Sequence, residues 1–358
     1  MSHGTASDAP DRGRPQNEVP QKPVVKVIGK RDEDAVKIGL WGPPQSGKTT
    51  FLAALPIAVS DGNVRNGSWI IYPRGPASRD LKETFERVLV EDRRFPESTV
   101  PHRVPLEWLF VGNLARSRFD RRRLRRGELE SRFVLDLIDV HGDAYRRDPD
   151  PQTVRSEAAS AALDHLAEAK GIIYLFDPIG ERKNRDSAAY VRGTINELLE
   201  RATEHNQRPG RYLPHQVSVC ITKFDDRDLF RQARLMNLVT DGDDGMPRVR
   251  DKDAERFFDE LCSGKFWRNR PEGGLQSAQY VRDQLRHLFH PDRIRYFVTS
   301  SIGFWMEPPS EDDANPWFNP DNPDNYHERD ERPSIKGKVR PINVLEPLIS
   351  LQQRIARG

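Results

Sequence analysis

The sequence has little of what would place it in a membrane, a disulfide-stapled scaffold or a polyanion-binding class. Among its 358 residues no run approaches the ~18 consecutive apolar residues that span a bilayer. The opening MSHGTASDAP has no apolar core of a signal peptide, so the expected location is cytoplasmic. Only Cys220 and Cys262 are present, too few for a disulfide framework and without metal-ligand spacing, so both are expected to be reduced and structural. Charge of one sign is also lacking: 57 Lys and Arg against 55 Asp and Glu leave a net +2, which removes net charge as an argument for nucleic-acid or lipid binding. Apolar residues make up 36% and charged residues 31%, and with 28 prolines this predicts long solvated loops around an ordinary core. The length fits two domains or one elaborated domain.

The chain divides by composition. Residues 1–30 carry Pro10, Pro15, Pro20 and Pro23 without apolar periodicity, which predicts a disordered tail. Residues 31–358 read as one domain. VKIGLWG, a Gly and Pro turn, and then TTFLAALPIAV give the order strand, glycine loop, helix. Further apolar runs follow at 104–111, 132–140, 171–178, 216–224 and 294–301, several nearly continuous in Val, Ile, Leu and Phe, as strands covered on both faces should be. Helical stretches occupy 153–169, 187–205 and 343–357, the last interrupted early by Pro347. The expected fold class is α/β: a doubly wound, mostly parallel sheet, with a helical insertion over 226–292 before the last strand. Residues 303–341 hold seven prolines and many Asn and Asp, and read as a long irregular excursion.

The chemistry concentrates at strand ends. GPPQSGKT places Gly42, Gly47, Lys48 and Thr49 in G-x-x-x-x-G-K-[ST] between a strand and a helix. Glycine lets the backbone fold around a phosphate, amide N–H groups at the helix start donate to its oxygens, Lys48 bridges β- and γ-phosphates, and the Thr49 hydroxyl ligates Mg²⁺. Gln45, Ser46 and Thr50 complete the expected phosphate contacts. At the end of the run 132–140 comes the D-x-x-G of Asp139 and Gly142; the carboxylate suits a water-mediated Mg²⁺ contact and the glycine amide a γ-phosphate sensor. Thr222-Lys223-Phe224-Asp225 ends another strand; a carboxylate at Asp225 accepts from guanine N1–H and its exocyclic amine, while the Lys223 stem covers the ring. Thr299-Ser300-Ser301 ends the last strand, where a backbone N–H at Ser300 or Ser301 is placed to donate to guanine O6.

The ordered set GPPQSGKT, DVHG, TKFD and TSS resembles the Ras-like, translation-factor-type P-loop GTPases, and among them the bacterial GTPase domains of signalling and conflict-system operons. The resemblance covers about residues 35–302. It implies GTP or GDP with Mg²⁺ as ligands, phosphate binding at Lys48 and Thr49, a switch box at Asp139 and Gly142, and guanine reading at Lys223 and Asp225. It also implies a nucleotide-dependent molecular switch with a protein effector or regulator as partner. One departure concerns catalysis: the family's water-orienting Gln follows the D-x-x-G glycine, and this chain has Asp143 there, a carboxylate that the γ-phosphate repels. His141 is the stronger candidate for positioning the water. The Mg²⁺-binding threonine of the first switch corresponds to Thr99, with Thr84 as rival, and Pro44 crowds the approach of an arginine finger. Slow hydrolysis is therefore expected. Two other readings stand beside the switch: a non-hydrolysing GTP-bound scaffold or sensor, and a P-loop ATPase or kinase. The arginine-rich stretch Arg116–Arg126 reads first as a solvated loop neutralised by Asp120, Glu128 and Glu130, and second as a contact for nucleic acid or acidic membrane.

Overall fold

The structure, a computed structural model, describes residues 26–28, 36–60, 69–97, 106–113, 129–137, 157–204, 211–242, 244–263, 275–309, 316–327 and 333–357. In chain order these form β1 (Lys26–Ile28), β2 (Ile38–Trp41), α1 (Lys48–Ser60), β3 (Trp69–Arg74), α2 (Gly75–Glu86), a π-helical turn (Arg87–Glu91), β4 (Leu106–Asn113) and β5 (Leu129–Leu137). Then come α3 (Glu157–Glu168), β6 (Gly171–Phe176), α4 (Pro178–Asn184), α5 (Ser187–Glu204) and β7 (Gln216–Ile221). Between β7 and the next long strand lie α6 (Arg227–Leu235), β8 (Val239–Asp241), β9 (Pro247–Val249), α7 (Asp251–Ser263) and α8 (Leu275–Leu288). The chain closes through β10 (Ile294–Val298), β11 (Met306–Glu307), β12 (Trp317–Phe318), β13 (Tyr326–His327), β14 (Ser334–Ile335) and α9 (Glu346–Ile355).

The central sheet has the order β10-β7-β6-β2, and every pair in it is parallel. Its strands are covered on both faces, which explains their continuous apolar sequences: all six residues of β6, GIIYLF, are buried. Strand alternation sends Ile38, Leu40, Ile173, Leu175, Cys220 and Phe297 to one side, against α1 and α9. Trp41, Tyr174, Phe176, Val219, Ile221 and Tyr296 go to the other, against α3, α5, α7 and α8. This is the doubly wound α/β architecture expected from the sequence, and α6 to α8 form the helical insertion. A second sheet, ordered β1-β5-β4-β3, pairs β1 parallel to β5 and the other neighbours antiparallel; its β5 lies against β2.

Several elements differ from the sequence expectation. Lys26–Ile28, inside the stretch read as a tail, pairs with β5. β3, α2 and the π-helical turn fill a region for which no element was expected, and the insertion contains the β8–β9 hairpin as well as helices. The Pro-rich excursion is not wholly irregular: it carries the β11–β12 and β13–β14 hairpins. Pro347 does not interrupt the last helix. It sits in the first turn of α9, where its missing N–H has no intrahelical acceptor to lose. The strands at β6, β7 and β10 stop two to three residues before the apolar runs do, at Phe176, Ile221 and Val298, and the residues left over enter the turns that build the site.

Candidate functional site

The phosphate loop leaves β2 at Trp41 and enters α1 at Lys48. At Gly42 a Cβ would stand 2.7 Å from Ser46 Oγ and 2.9 Å from the Leu175 carbonyl oxygen, so the loop closes this tightly only with glycine there. Gln45 and Gly47 adopt the left-handed region at φ 61° and 91°, which turns successive N–H groups toward one concave side. The arch is pinned by Ser46 N–H donating to the Pro43 carbonyl at 3.2 Å and by Phe51 N–H donating to the Gly47 carbonyl at 2.7 Å. Lys48 is buried within the arch, its Nζ donating to the carbonyls of Gly42 at 2.7 Å and Pro43 at 2.9 Å. Behind the loop, Gly42 N–H donates to Tyr190 Oη at 3.3 Å, and Tyr190 stacks on Trp41 with centroids 6.4 Å apart. Thr49 and Thr50 occupy the first turn of α1, half-buried, where helix N–H groups lack intrahelical partners.

The TKFD segment follows β7 and reaches the phosphate loop directly. Thr222 Oγ1 donates across to the Ser46 carbonyl at 3.3 Å and to the Phe176 carbonyl at 3.2 Å, so one hydroxyl ties the ends of β6 and β7 to the loop. Lys223 takes the left-handed conformation at φ 61°, and its Nζ pairs with Asp177 Oδ2 at 2.5 Å. Phe224 points the other way into the core, where its ring meets Phe304 at 5.4 Å and anchors the segment. Asp225 is 5% exposed, and Ser300 Oγ donates to its Oδ1. Burial, opposed by that hydrogen bond, pushes the Asp225 carboxyl up to about 6. Ser300 Oγ in turn accepts from Gly303 N–H at 2.8 Å.

The structure therefore brings together Gly42, Gln45, Ser46, Gly47, Lys48, Thr49, Thr50, Thr222, Lys223, Asp225, Ser300 and Ser301 at the carboxyl ends of β2, β7 and β10, where ligands of open α/β sheets bind. The Ser300 N–H, one of the two donors expected at this strand end, is already engaged: it donates to the Ile342 carbonyl at 3.0 Å. Asp139, His141, Gly142, Asp143, Thr99 and Arg116–Arg126 lie outside the described residues. Thr84, the rival to Thr99, sits within α2. Two partners of the site escaped sequence reasoning: Tyr190 has no local signature, whereas Asp177 has one, standing before Pro178 at a helix start. Among the described residues there is no cluster of His, Cys, Asp and Glu that suits a metal, and no helix long and apolar enough to cross a membrane.

No protein-family model matches the chain, and no curated protein matches it by sequence. Among solved structures it is similar to the signal recognition particle receptor SRb-GTP/SRX complex from Chaetomium thermophilum, with 16% identity over 75% of this chain and 92% of that one, at a TM-score of 0.32. It is also similar to the S. cerevisiae Ski7 GTPase-like domain bound to GTP, with 10% identity over 90% of this chain and 50% of that one, at a TM-score of 0.35. A third likeness is to the ADP ribosylation factor-like GTP binding protein/small COPII coat GTPase SAR1 from Encephalitozoon cuniculi in complex with GDP, with 12% identity, 75% and 70% coverage and a TM-score of 0.26. Likenesses this distant assign nothing by themselves, and the P-loop α/β fold of this chain rests on its own strand order and loop geometry.

Proposed function

We propose that the chain binds GTP and GDP through the loop at 42–50 and the Thr222–Asp225 turn, hydrolyses GTP slowly, and acts as a nucleotide-dependent switch. The observation that carries this reading is the bond from Thr222 Oγ1 to the Ser46 carbonyl, because it sets an acceptor carboxylate for a base beside a cradle for phosphates. An adenine nucleotide offers no N1–H and exocyclic amine pair to Asp225, which weighs against the ATPase or kinase reading.

In the proposed site Lys48 leaves its two loop carbonyls for the β- and γ-phosphates, and loop and helix N–H groups donate to the remaining oxygens. Thr49 would hold Mg²⁺, with Asp139 and Thr99 as its further protein contacts, and the ion would neutralise charge between the phosphates. The residues around Gly142 would sense the γ-phosphate, and His141, with Asp143 as the poorer candidate, would position the water. A protein effector or regulator reading that region is the proposed partner, in the cytoplasm. Asp143, where the resembled family has Gln, also supports a second reading, in which the nucleotide is held without turnover and the additions at 303–341 serve as a scaffold.

Competition of ATP against GTP on the full chain tests the base assignment, and GTP is expected to displace a fluorescent guanine nucleotide where ATP does not. Steady hydrolysis by the chain alone is expected to stay below about 1 s⁻¹. Faster multiple turnover contradicts the slow switch, and no turnover with any partner favours the scaffold.

A further inference from the structure

Asp177 stands at the end of β6 and is 2% exposed, yet it is not one of the residues that the nucleotide-binding motifs account for. Its two carboxylate oxygens have separate duties. Oδ1 accepts from Ile179 N–H at 3.0 Å and Gly180 N–H at 2.9 Å, which caps α4. Oδ2 is not needed for the cap and accepts instead from Lys223 Nζ at 2.5 Å. The lysine itself is 39% exposed along its side chain, held in a left-handed backbone conformation, and stands two residues before Asp225.

A long, half-exposed lysine ordinarily samples many rotamers, and immobilising it at the moment of ligand binding opposes that binding. Here a buried carboxylate on a neighbouring strand end fixes the ammonium beforehand, so the aliphatic stem is laid out in advance beside the base-reading carboxylate. The Phe176 carbonyl, one residue before Asp177, is bound by both the N–H and the hydroxyl of Thr222, one residue before Lys223. The ion pair is thus the outer rung of a ladder that locks the end of β6 to the end of β7.

On the reading that this site takes guanine nucleotides, we infer that Asp177 is a positioning residue for base recognition: it pre-orders Lys223 so that the lysine stem forms one wall of the guanine slot. The residue acts through Lys223 and touches neither phosphate nor base.

The test uses the full chain with Asp177→Asn. An amide has one acceptor oxygen where the carboxylate has two, so the substituted side chain keeps the α4 cap and presents an N–H donor, with no charge, to the lysine. Dissociation of a fluorescent GDP analogue is expected to accelerate by up to about tenfold, the cost of ordering one rotamer-rich side chain on binding. Affinity for inorganic tripolyphosphate, which engages the loop at 42–50 and has no base, is expected to stay within about twofold, because the ion pair touches no phosphate contact. Lys223→Ala removes the stem itself and should accelerate dissociation at least as much, and adding Asp177→Asn to that variant should change nothing further. Unchanged GDP dissociation in D177N, additive effects in the double variant, or a proportional loss of tripolyphosphate binding would each overturn the inference. A wild-type chain that does not prefer guanine over adenine nucleotides sinks the underlying reading instead, so the two failures are separate.

Discussion

At the scale of single residues the site's pH behaviour is set by Asp225. Burial, offset by the Ser300 hydroxyl, raises its carboxyl to about 6, above the ordinary carboxylate range. The nucleotide-free folded chain therefore holds this proton more tightly than the unfolded chain does. The group favours folding at acid pH, and that contribution is lost as pH rises through about 6. Guanine recognition has the opposite sign, since it needs the ionised carboxylate as acceptor. Affinity for GDP is expected to be flat above neutrality and to fall about tenfold per pH unit well below the midpoint. Ser300→Ala removes the hydrogen bond that lowers this pKa, so the midpoint should move to higher pH; isothermal titration from about pH 5 to 8, which brackets the midpoint, reads both effects. A Ser300→Ala midpoint at lower pH would show that the Ser300 bond does not stabilise the charged form.

At the scale of elements the described parts of the Pro- and Asn-rich excursion, residues 303–309, 316–327 and 333–341, pack against the body of the domain. Ile335 N–H donates to the Arg93 carbonyl at 2.8 Å, Arg227 N–H donates to Asp324 Oδ1 at 2.8 Å, and Phe318 packs on Phe304 and Phe230 with centroids 5.1 and 5.3 Å apart. Its pivot is Asn325, fully buried, whose Nδ2 donates to the Ile302 carbonyl at 3.1 Å and whose Oδ1 accepts from Gly337 N–H at 2.9 Å. Asn325→Ala leaves the Gly337 N–H without its acceptor, while the Ile302 carbonyl still accepts from Arg340 N–H at 3.0 Å, and is expected to cost about 1–3 kcal/mol of stability, the cost of one buried group left unsatisfied. Denaturant unfolding measures this, and a loss under about 0.5 kcal/mol would mean the excursion is not packed as described. Phe318, an aromatic in an otherwise polar stretch, is a sequence cue for such an anchor, but the hairpins and the Asn325 pivot are not legible, because they are held by bonds between distant residues and by side-chain amides, neither of which leaves a periodic pattern. β3 escaped for a different reason: WIIYPR alternates correctly, but Pro73 lies within it and Pro76 follows, which reads as loop punctuation. The buried strands β6, β7 and β10 were legible because coverage on both faces demands continuous apolar runs.

At the scale of the whole molecule, the parallel order β10-β7-β6-β2 brings three separated sequence motifs to one edge, and the Thr222 to Ser46 bond joins two of them. The phosphate loop and the TKFD turn could be placed at strand ends from sequence because each is a short local pattern that directly follows a continuous apolar run. Asp177 carries the local signature of a helix start before Pro178, but its pairing with Lys223, 46 residues away, leaves no local pattern. If Asp225 reads guanine, Asp225→Asn will reverse the paired affinities for GTP and XTP. An amide offers a donor where the carboxylate accepted, so GTP affinity should fall by at least about a hundredfold while XTP affinity rises, reversing the preference. GTP binding that is unchanged in this variant, with XTP still excluded, would remove Asp225 from base recognition.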